Sequence, residues 1–406
     1  MSRRKAFAAA VGLLVALGAA ACGSSTPNSG GDGGSQASNA AYQVGFDSSL
    51  SGPYAANGVG QREGFMAYVD YVNKHGGVDG HPVDVTALDD AGDISTGTAN
   101  ETQLIAEHDV SVTVGWLVSN ICGAASTIAV EQKVPIICSA IADNLLDPAK
   151  PYVYSSRISQ TDEALPDLTF AKTLLHEAKP KVAIIVYGSA ASTGLQGALE
   201  NLVERDGWPL VANVNVPLTA TDISAQTAQV IAAHPDVIVG SLYDPLAVEF
   251  MRSLQAKSLD VPFIDYDGAS LQGSLLPLKD PNYYIVSSTT LTGAGSQPGL
   301  VLYRTATKAA GVNPVGPFVN VGYAQAMEVV SALKACGYPC SGADMQRALN
   351  KLDVNTGGVT SGPLKNTSAD HEPLDEVSIY HWDTSAGAVV AAATNLQGGN
   401  LRNGGL

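Results

Sequence analysis

The stretch SGPYAANGVGQREGF, Ser51 to Phe65, joins an apolar strand at Tyr42 to Phe46 to a helix expected from near Gly60. Its residue types are those a small-molecule site would use. Glycines and a proline let the backbone come close to a bound molecule. The first turn of a helix offers unpaired N–H groups and a partial positive charge, which suit an anion. Tyr54 and Asn57 add a ring and an amide at the same lip. Two roles fit this stretch, one jaw of a binding site or an ordinary strand-to-helix connection. Farther along, Ser119 and Trp116 follow a strand at Val110 to Val114, Tyr243 follows one at Val237 to Leu242, and Asp267 follows one at Pro262 to Tyr266. Ser119 suits a carboxylate donor or a plain N-cap of the helix Ile121 to Gln132. Asp267 suits a ligand contact or an ion pair at a hinge, and Trp116 and Tyr243 suit a site wall or packing between lobes. Their shared place at strand ends, where open α/β sheets bind ligands, favours a site.

Catalytic chemistry is less well supplied. The chain has no GxSxG elbow, no HExxH and no Walker loop, and GVGQREG at Gly58 to Gly64 misses the dinucleotide spacing. The seven histidines are scattered, mostly beside Pro, Gly or Asp, so a surface role is expected for them. A Ser/His/Asp set assembled in space remains the enzymatic alternative. No metal is expected, because no His or second CxxC lies at ligand spacing from the cysteines, and no cofactor is expected.

These residues need elements to hold them. With 406 residues the chain exceeds one ordinary core, so two domains are expected. From Tyr42 the pattern alternates strand and helix through VPIIC at Val134 to Cys138, and after PYVYSSRIS a second series runs to the strand Pro262 to Tyr266. Such alternation builds parallel sheets covered by helices, and two series make two lobes in an α/β fold. Helices Gly299 to Ala310 and Phe318 to Ala335 are expected to complete the first lobe, and strands Val377 to Asp383 and Val389 to Ala393 the edge of the second. This gives lobe 1 as 41–157 plus 291–361 and lobe 2 as 158–290 plus 362–395, with three crossings near 155–159, 287–291 and 362–370, and a tail at 396–406. Parallel crossings favour a hinge-like closure.

Residues 1–21 read as a signal peptide, with Arg3, Arg4 and Lys5 ahead of an apolar run from Ala6 to Ala21 that is too short to span a bilayer. LGAAAC, Leu17 to Cys22, resembles the lipobox of bacterial lipoproteins, which implies lipid on Cys22; a plain cleaved signal is the alternative. The Gly/Ser/Asn-rich stretch within 22–40 reads as a tether. Net charge is -16, from 22 Lys+Arg and 38 Asp+Glu, and removing the three leading bases gives 19 minus 38, or -19. So acidic a surface repels phosphate backbones, and nucleic acid is not expected as a partner. Four cysteines remain, and an oxidising compartment favours bridges. Cys336 and Cys340 flank the turn trio GYP, and Cys122 and Cys138 fall at the ends of neighbouring strands, so 122 with 138 and 336 with 340 are the favoured pairs.

Taken together, SGPYAANG, NKHGGVDGHPVDVTALDDAGD, TVGWLVSN, PYVYSSRIS, TDISAQTAQVIAAHPDVIVGSLYDP and GGVTSGPL resemble, in order and over nearly the whole mature chain, the solute-binding proteins of the branched-chain amino acid and amide class. The resemblance implies the type I periplasmic-binding fold, two Rossmann-like lobes joined by a three-strand hinge. It also implies a ligand in the interlobe cleft, delivery to an ABC permease, and a monomer lipid-anchored at the outer face of the cell membrane. In amino-acid-binding members a carboxylate rests where Ser119 stands and the ammonium meets a carbonyl, a Thr and an acid. Ala140 fits the carbonyl position, Ala142 replaces the Thr, and Asp267 falls at the acid. Tyr243 sits within a residue of the cleft tyrosine, Asn57 stands where an aromatic is often found, and the second cleft aromatic expected near Ser192 is missing. An amino acid, an amide or a small carboxylate, aromatic ones included, all remain open as ligand, and a sensor domain on the same fold is the rival to a carrier.

Overall fold

The computed structural model describes residues 40–140, 142–266 and 271–401. Cys22 with its signal peptide, nearly all of the tether, and Asp267 lie outside these residues. The chain begins as β1 (Tyr42–Ser48), α1 (Ala55–Lys74), β2 (Val83–Asp89), α2 (Ile94–His108) and β3 (Thr113–Gly115). It continues as α3 (Ser119–Gln132), β4 (Ile136–Cys138), α4 (Asp143–Leu146) and β5 (Val153–Ser155). The five strands form one wholly parallel sheet in the order β2-β1-β3-β4-β5. Tyr42, Val44 and Phe46 of β1 bury one face of this sheet against Phe65 and Val69 of α1, while Gly45 on the other face leaves room for Leu104 of α2.

A second series follows: α5 (Gln160–Leu175), β6 (Val182–Tyr187), α6 (Ala190–Asp206), β7 (Leu210–Val216), α7 (Ser224–Ala232), β8 (Val237–Ser241), α8 (Asp244–Ala256), β9 (Phe263–Asp265), α9 (Leu271–Leu278) and β10 (Tyr283–Ser287). The sequence VAIIVY of β6 is buried along its full length, as an unbroken apolar run in a doubly covered parallel sheet must be. Helices α10 (Pro298–Ala309), α11 (Val319–Cys336) and α12 (Gly342–Leu349) come next, then the short pair β11 (Asp353–Val354) and β12 (Leu364–Lys365). Finally β13 (Glu376–Asp383) and β14 (Ala388–Gln397) add an antiparallel edge to the second sheet, ordered β14-β13-β10-β9-β8-β6-β7.

Helices α10 and α11 pack on α1. The third crossing lies later than expected. Leu364 and Leu374 belong to the first lobe's core, and Ser155 N–H donates to the His371 carbonyl, so the return to the second sheet falls at β13 and not at Gly362. His371 is itself buried and stacked on Tyr154, against the expectation of surface histidines; its ring Nδ1–H donates to the Val153 carbonyl, 2.8 Å away. Burial lowers its pKa, so it is neutral in the core. Both favoured disulfides are present, Cys122–Cys138 with Cα atoms 6.1 Å apart and Cys336–Cys340 with 5.7 Å. The first joins α3 to the end of β4 inside the lobe, and the second closes the turn that ends α11.

Candidate ligand-binding cleft

The C-terminal ends of both sheets face a common cleft, and residues from both lobes close over a small chamber within it. From the first lobe come Tyr54 and Asn57 at the start of α1, Leu117 and Val118 after β3, and Ala140 after β4. The second lobe contributes Tyr187, Tyr243 and Tyr266, each at the end of its strand. Arg157, where the chain first crosses between lobes, and Phe318, just ahead of α11, complete the wall. The chamber holds about 20 Å³, room for one water.

Helix α1 starts at Ala55, earlier than the glycines suggested, because Gly52–Tyr54 form a 3-10 turn that leads straight into it. The glycines therefore serve the chain itself. A Cβ on Gly58 would lie 2.0 Å from the Ser49 carbonyl oxygen and one on Gly60 1.8 Å from that of Pro317. This early start sets Tyr54 and Asn57 on the chamber wall. Tyr54 meets Tyr243 edge to face, ring centres 5.2 Å apart, and its hydroxyl reaches across to donate to the Leu218 carbonyl at 3.3 Å. Tyr187 stands between Tyr243 and Tyr266, with centres 5.7 and 6.0 Å away. Desolvation raises the pKa of Tyr54, Tyr243 and Tyr266, so their hydroxyls are neutral donors at physiological pH. Arg157 is almost fully buried; its Nε donates to the Ser139 carbonyl at 2.7 Å and its guanidinium lies 5.3 Å from the centre of the Phe318 ring.

Outside the chamber a wider groove of about 720 Å³ runs along α3, lined by Ser119, Asn120, Ala142 and, from the second lobe, Ala190. Ser119 does not cap α3, as the sequence allowed, but lies in its first turn behind Val118. Its Oγ accepts from Ala191 N–H at 3.3 Å, and Asn120 Oδ1 accepts from Ala190 N–H at 3.1 Å. Two side chains of one lobe thus cap the first turn of a helix in the other, satisfying donors that α6 leaves open. Replacing both, Ser119→Ala with Asn120→Ala, should weaken the closed arrangement by about 1–2 kcal/mol. The radius of gyration from small-angle scattering should then increase, and an unchanged value would show that these bonds do not hold the lobes together.

The sequence-derived residues divide accordingly. Tyr54, Asn57, Ala140 and Tyr243 meet at the chamber, and Ser119 and Ala142 at the groove beside it. Trp116 stands apart: it is fully buried in the first lobe's core, with its ring beside Gly97. Arg157, Tyr187, Tyr266 and Phe318 were not singled out from sequence. Tyr187, five positions before Ser192, places an aromatic ring on the chamber wall. No group of three or more His, Cys, Asp or Glu residues that could hold a metal occurs among the described residues.

Two lobes whose sheet ends share a cleft, bridged by side chains of both, define a two-lobed binding protein. The chain belongs to the periplasmic binding protein family, whose model matches residues 41–388. It is 25% identical over 363 residues to a Leu/Ile/Val-binding protein of Rhizobium johnstonii, covering 86% of this chain and 93% of that one. In structure it is similar to an ABC transporter solute-binding protein from R. palustris solved with 4-hydroxybenzoate, at TM-score 0.76, 19% identity and coverage of 88% and 96%. It is also similar to a branched-chain amino acid transporter substrate-binding protein from Streptococcus pneumoniae solved with isoleucine, at TM-score 0.71, 20% identity and coverage of 88% and 100%. The type I fold that the motifs implied is therefore present.

Proposed function

We propose that this protein is the extracytoplasmic solute-binding component of an ABC importer, capturing a small polar ligand between its lobes and handing it to a permease. The observation that carries this reading is the chamber walled by both lobes. A ligand that touches both walls favours the closed form by its differential affinity, which is what a carrier requires. The ligands of the similar structures, isoleucine and 4-hydroxybenzoate, both carry a carboxylate, which favours a ligand with an anionic group. Ser119 with the start of α6 and, for an amine-bearing ligand, Asp267 are the further contacts we assign to bound solute. Ala140 would supply a carbonyl and Ala142 a bare wall. Lipid on Cys22 would hold a monomer at the outer membrane face; among the described residues no helix is long and apolar enough to cross a membrane.

A calorimetric screen of branched-chain amino acids, amides and aromatic acids tests the proposal. One class should bind stoichiometrically and, at about a hundred times its dissociation constant, raise unfolding stability by about 2.7 kcal/mol. Catalytic turnover of a panel member, or no binding by any, would overturn it.

A further inference from the structure

We infer that Asp265 is the positioning residue of the chamber's second-lobe wall: its carboxyl holds the ends of β8 and β9 so that Tyr243 and Tyr266 stand at the separation a bound solute requires. This rests on the carrier reading above and adds to it a residue that itself lies outside the chamber lining. Three neighbouring strands, β6, β8 and β9, lead into the tyrosines of that wall, Tyr187, Tyr243 and Tyr266. Backbone pairing alone does not fix the last two. The register of β8 with β9 runs no farther than Gly240 opposite Asp265, and that of β9 with β10 no farther than Asp265 opposite Ile285.

Asp265 takes over where the ladder stops. It is fully buried, and its Oδ1 accepts from Leu242 N–H at 2.9 Å and from Tyr266 N–H at 3.1 Å. One oxygen thus ties the residue before Tyr243 on one strand to Tyr266 on the next. Oδ2 accepts from the Tyr283 hydroxyl of β10 at 2.8 Å, which fixes the plane of the carboxyl. Without the side chain two buried N–H groups lose their acceptor, and the strand ends must move to find another. The rings move with them. Tyr243 and Tyr266 flank Tyr187 at 5.7 and 6.0 Å between centres, and a displacement of about 1 Å is enough to change what a site admits. The role needs oxygen acceptors and no charge. Burial holds the carboxyl's pKa well above the usual carboxylate range, and an asparagine supplies one oxygen for the two N–H groups and an amide N–H for the Tyr283 oxygen.

Amide hydrogen exchange and calorimetry of the full chain test this, with isoleucine and 4-hydroxybenzoate as probes. In Asp265→Leu the Leu242 and Tyr266 amides should exchange about tenfold faster or more, and the better-bound probe should lose about tenfold in affinity or more. Asp265→Asn should keep both the protection and the affinity. Tyr283→Phe removes the Oδ2 bond alone, so it should lower the melting temperature and leave affinity unchanged, a split that general loosening of the lobe would not give. Unchanged exchange at Leu242 and Tyr266 in Asp265→Leu, affinity lost in Asp265→Asn, or affinity lost as much in Tyr283→Phe as in Asp265→Leu would overturn the inference and leave the carrier reading standing. Should Asp265→Leu not fold, the Asn and Phe variants still decide, since loss of affinity in either overturns the inference and retention in both supports it. Should the wild type bind neither probe, the exchange rates alone decide the inference, and the wider screen above decides the carrier reading.

Discussion

Between pH 5 and pH 8.5 the stability of this protein against urea is expected to fall, and Asp47→Asn is expected to remove roughly 3–5 kcal/mol of that fall. Asp47 lies near the end of β1 and Asp90 follows β2, and both side chains are fully buried. Asn100 donates to Asp47 Oδ2 at 2.6 Å, and Ser49 Oγ and Gly92 N–H donate to Asp90 Oδ1 at 2.6 and 2.7 Å. The two acids also hydrogen-bond each other, which requires a proton on one of them, and the third group that acts on Asp47 is another acid, Glu101. Burial first, and then the neighbouring Asp90, push Asp47 up to about 9. The folded protein therefore holds a proton that the unfolded chain releases near pH 4, so this contribution is complete at low pH and is lost as the pH climbs toward 9. Glu101 and Glu328, each raised by burial to about 8, act in the same direction. An asparagine at 47 keeps the shape, cannot ionise, and offers an N–H to Asp90. Urea unfolding of both proteins at pH 5 and 8.5 measures the difference, and parallel pH profiles would show that Asp47 does not carry a proton in the fold.

The sheets were legible because their residues state their own environment. An apolar run such as VAIIVY has few places to go but a doubly covered strand, and the two alternating series correspond to the two main sheets. The rule that pointed to Tyr243, an aromatic at a strand end, applies equally to Tyr187 and Tyr266, so that part of the chamber was readable and was passed over. Arg157 was harder. Its neighbours in PYVYSSRIS mark a crossing between lobes, but burial of its charge depends on Ser139 and Phe318, 18 and 161 positions away. Helix α12 was missed because it is short, with only Met345, Ala348 and Leu349 turned inward. The start of α1 was misplaced for the opposite reason. Glycine in a helix costs about 1 kcal/mol against alanine, so AANGVG reads locally as loop. What justifies them is close backbone contact, Gly58 with Ser49 and Gly60 with Pro317 at the start of a helix more than 250 residues later.

That contact carries the second large effect. Helices α1 and α11 approach until backbone meets backbone. A Cβ on Gly64 would lie 1.9 Å from the Val319 carbonyl oxygen, and one on Gly322 1.8 Å from that of Gln61. Between them runs a buried chain of amides. Ser48 Oγ donates to Gln61 Oε1 at 2.7 Å, Gln61 Nε2 to Gln325 Oε1 at 2.8 Å, and Gln325 Nε2 to Ser156 Oγ at 3.0 Å, reaching the crossing beside Arg157. One methyl at 322 must push the helices apart by more than 1 Å, which both strains the core and breaks that chain, since its bonds have little slack. Overpacking alone costs about 1–3 kcal/mol and a buried amide left unpaired about as much again, so Gly322→Ala should lose roughly 3–5 kcal/mol. Gly197→Ala, in α6, is the matched comparison. A Cβ there meets nothing within 4 Å, and helix propensity alone should stabilise it by about 0.5–1 kcal/mol. Urea midpoints should therefore move in opposite directions for the same added methyl. If Gly322→Ala shifts the midpoint no more than Gly197→Ala does, α1 and α11 are not in backbone contact, and the placement of Asn57 by the first turn of α1 loses its support.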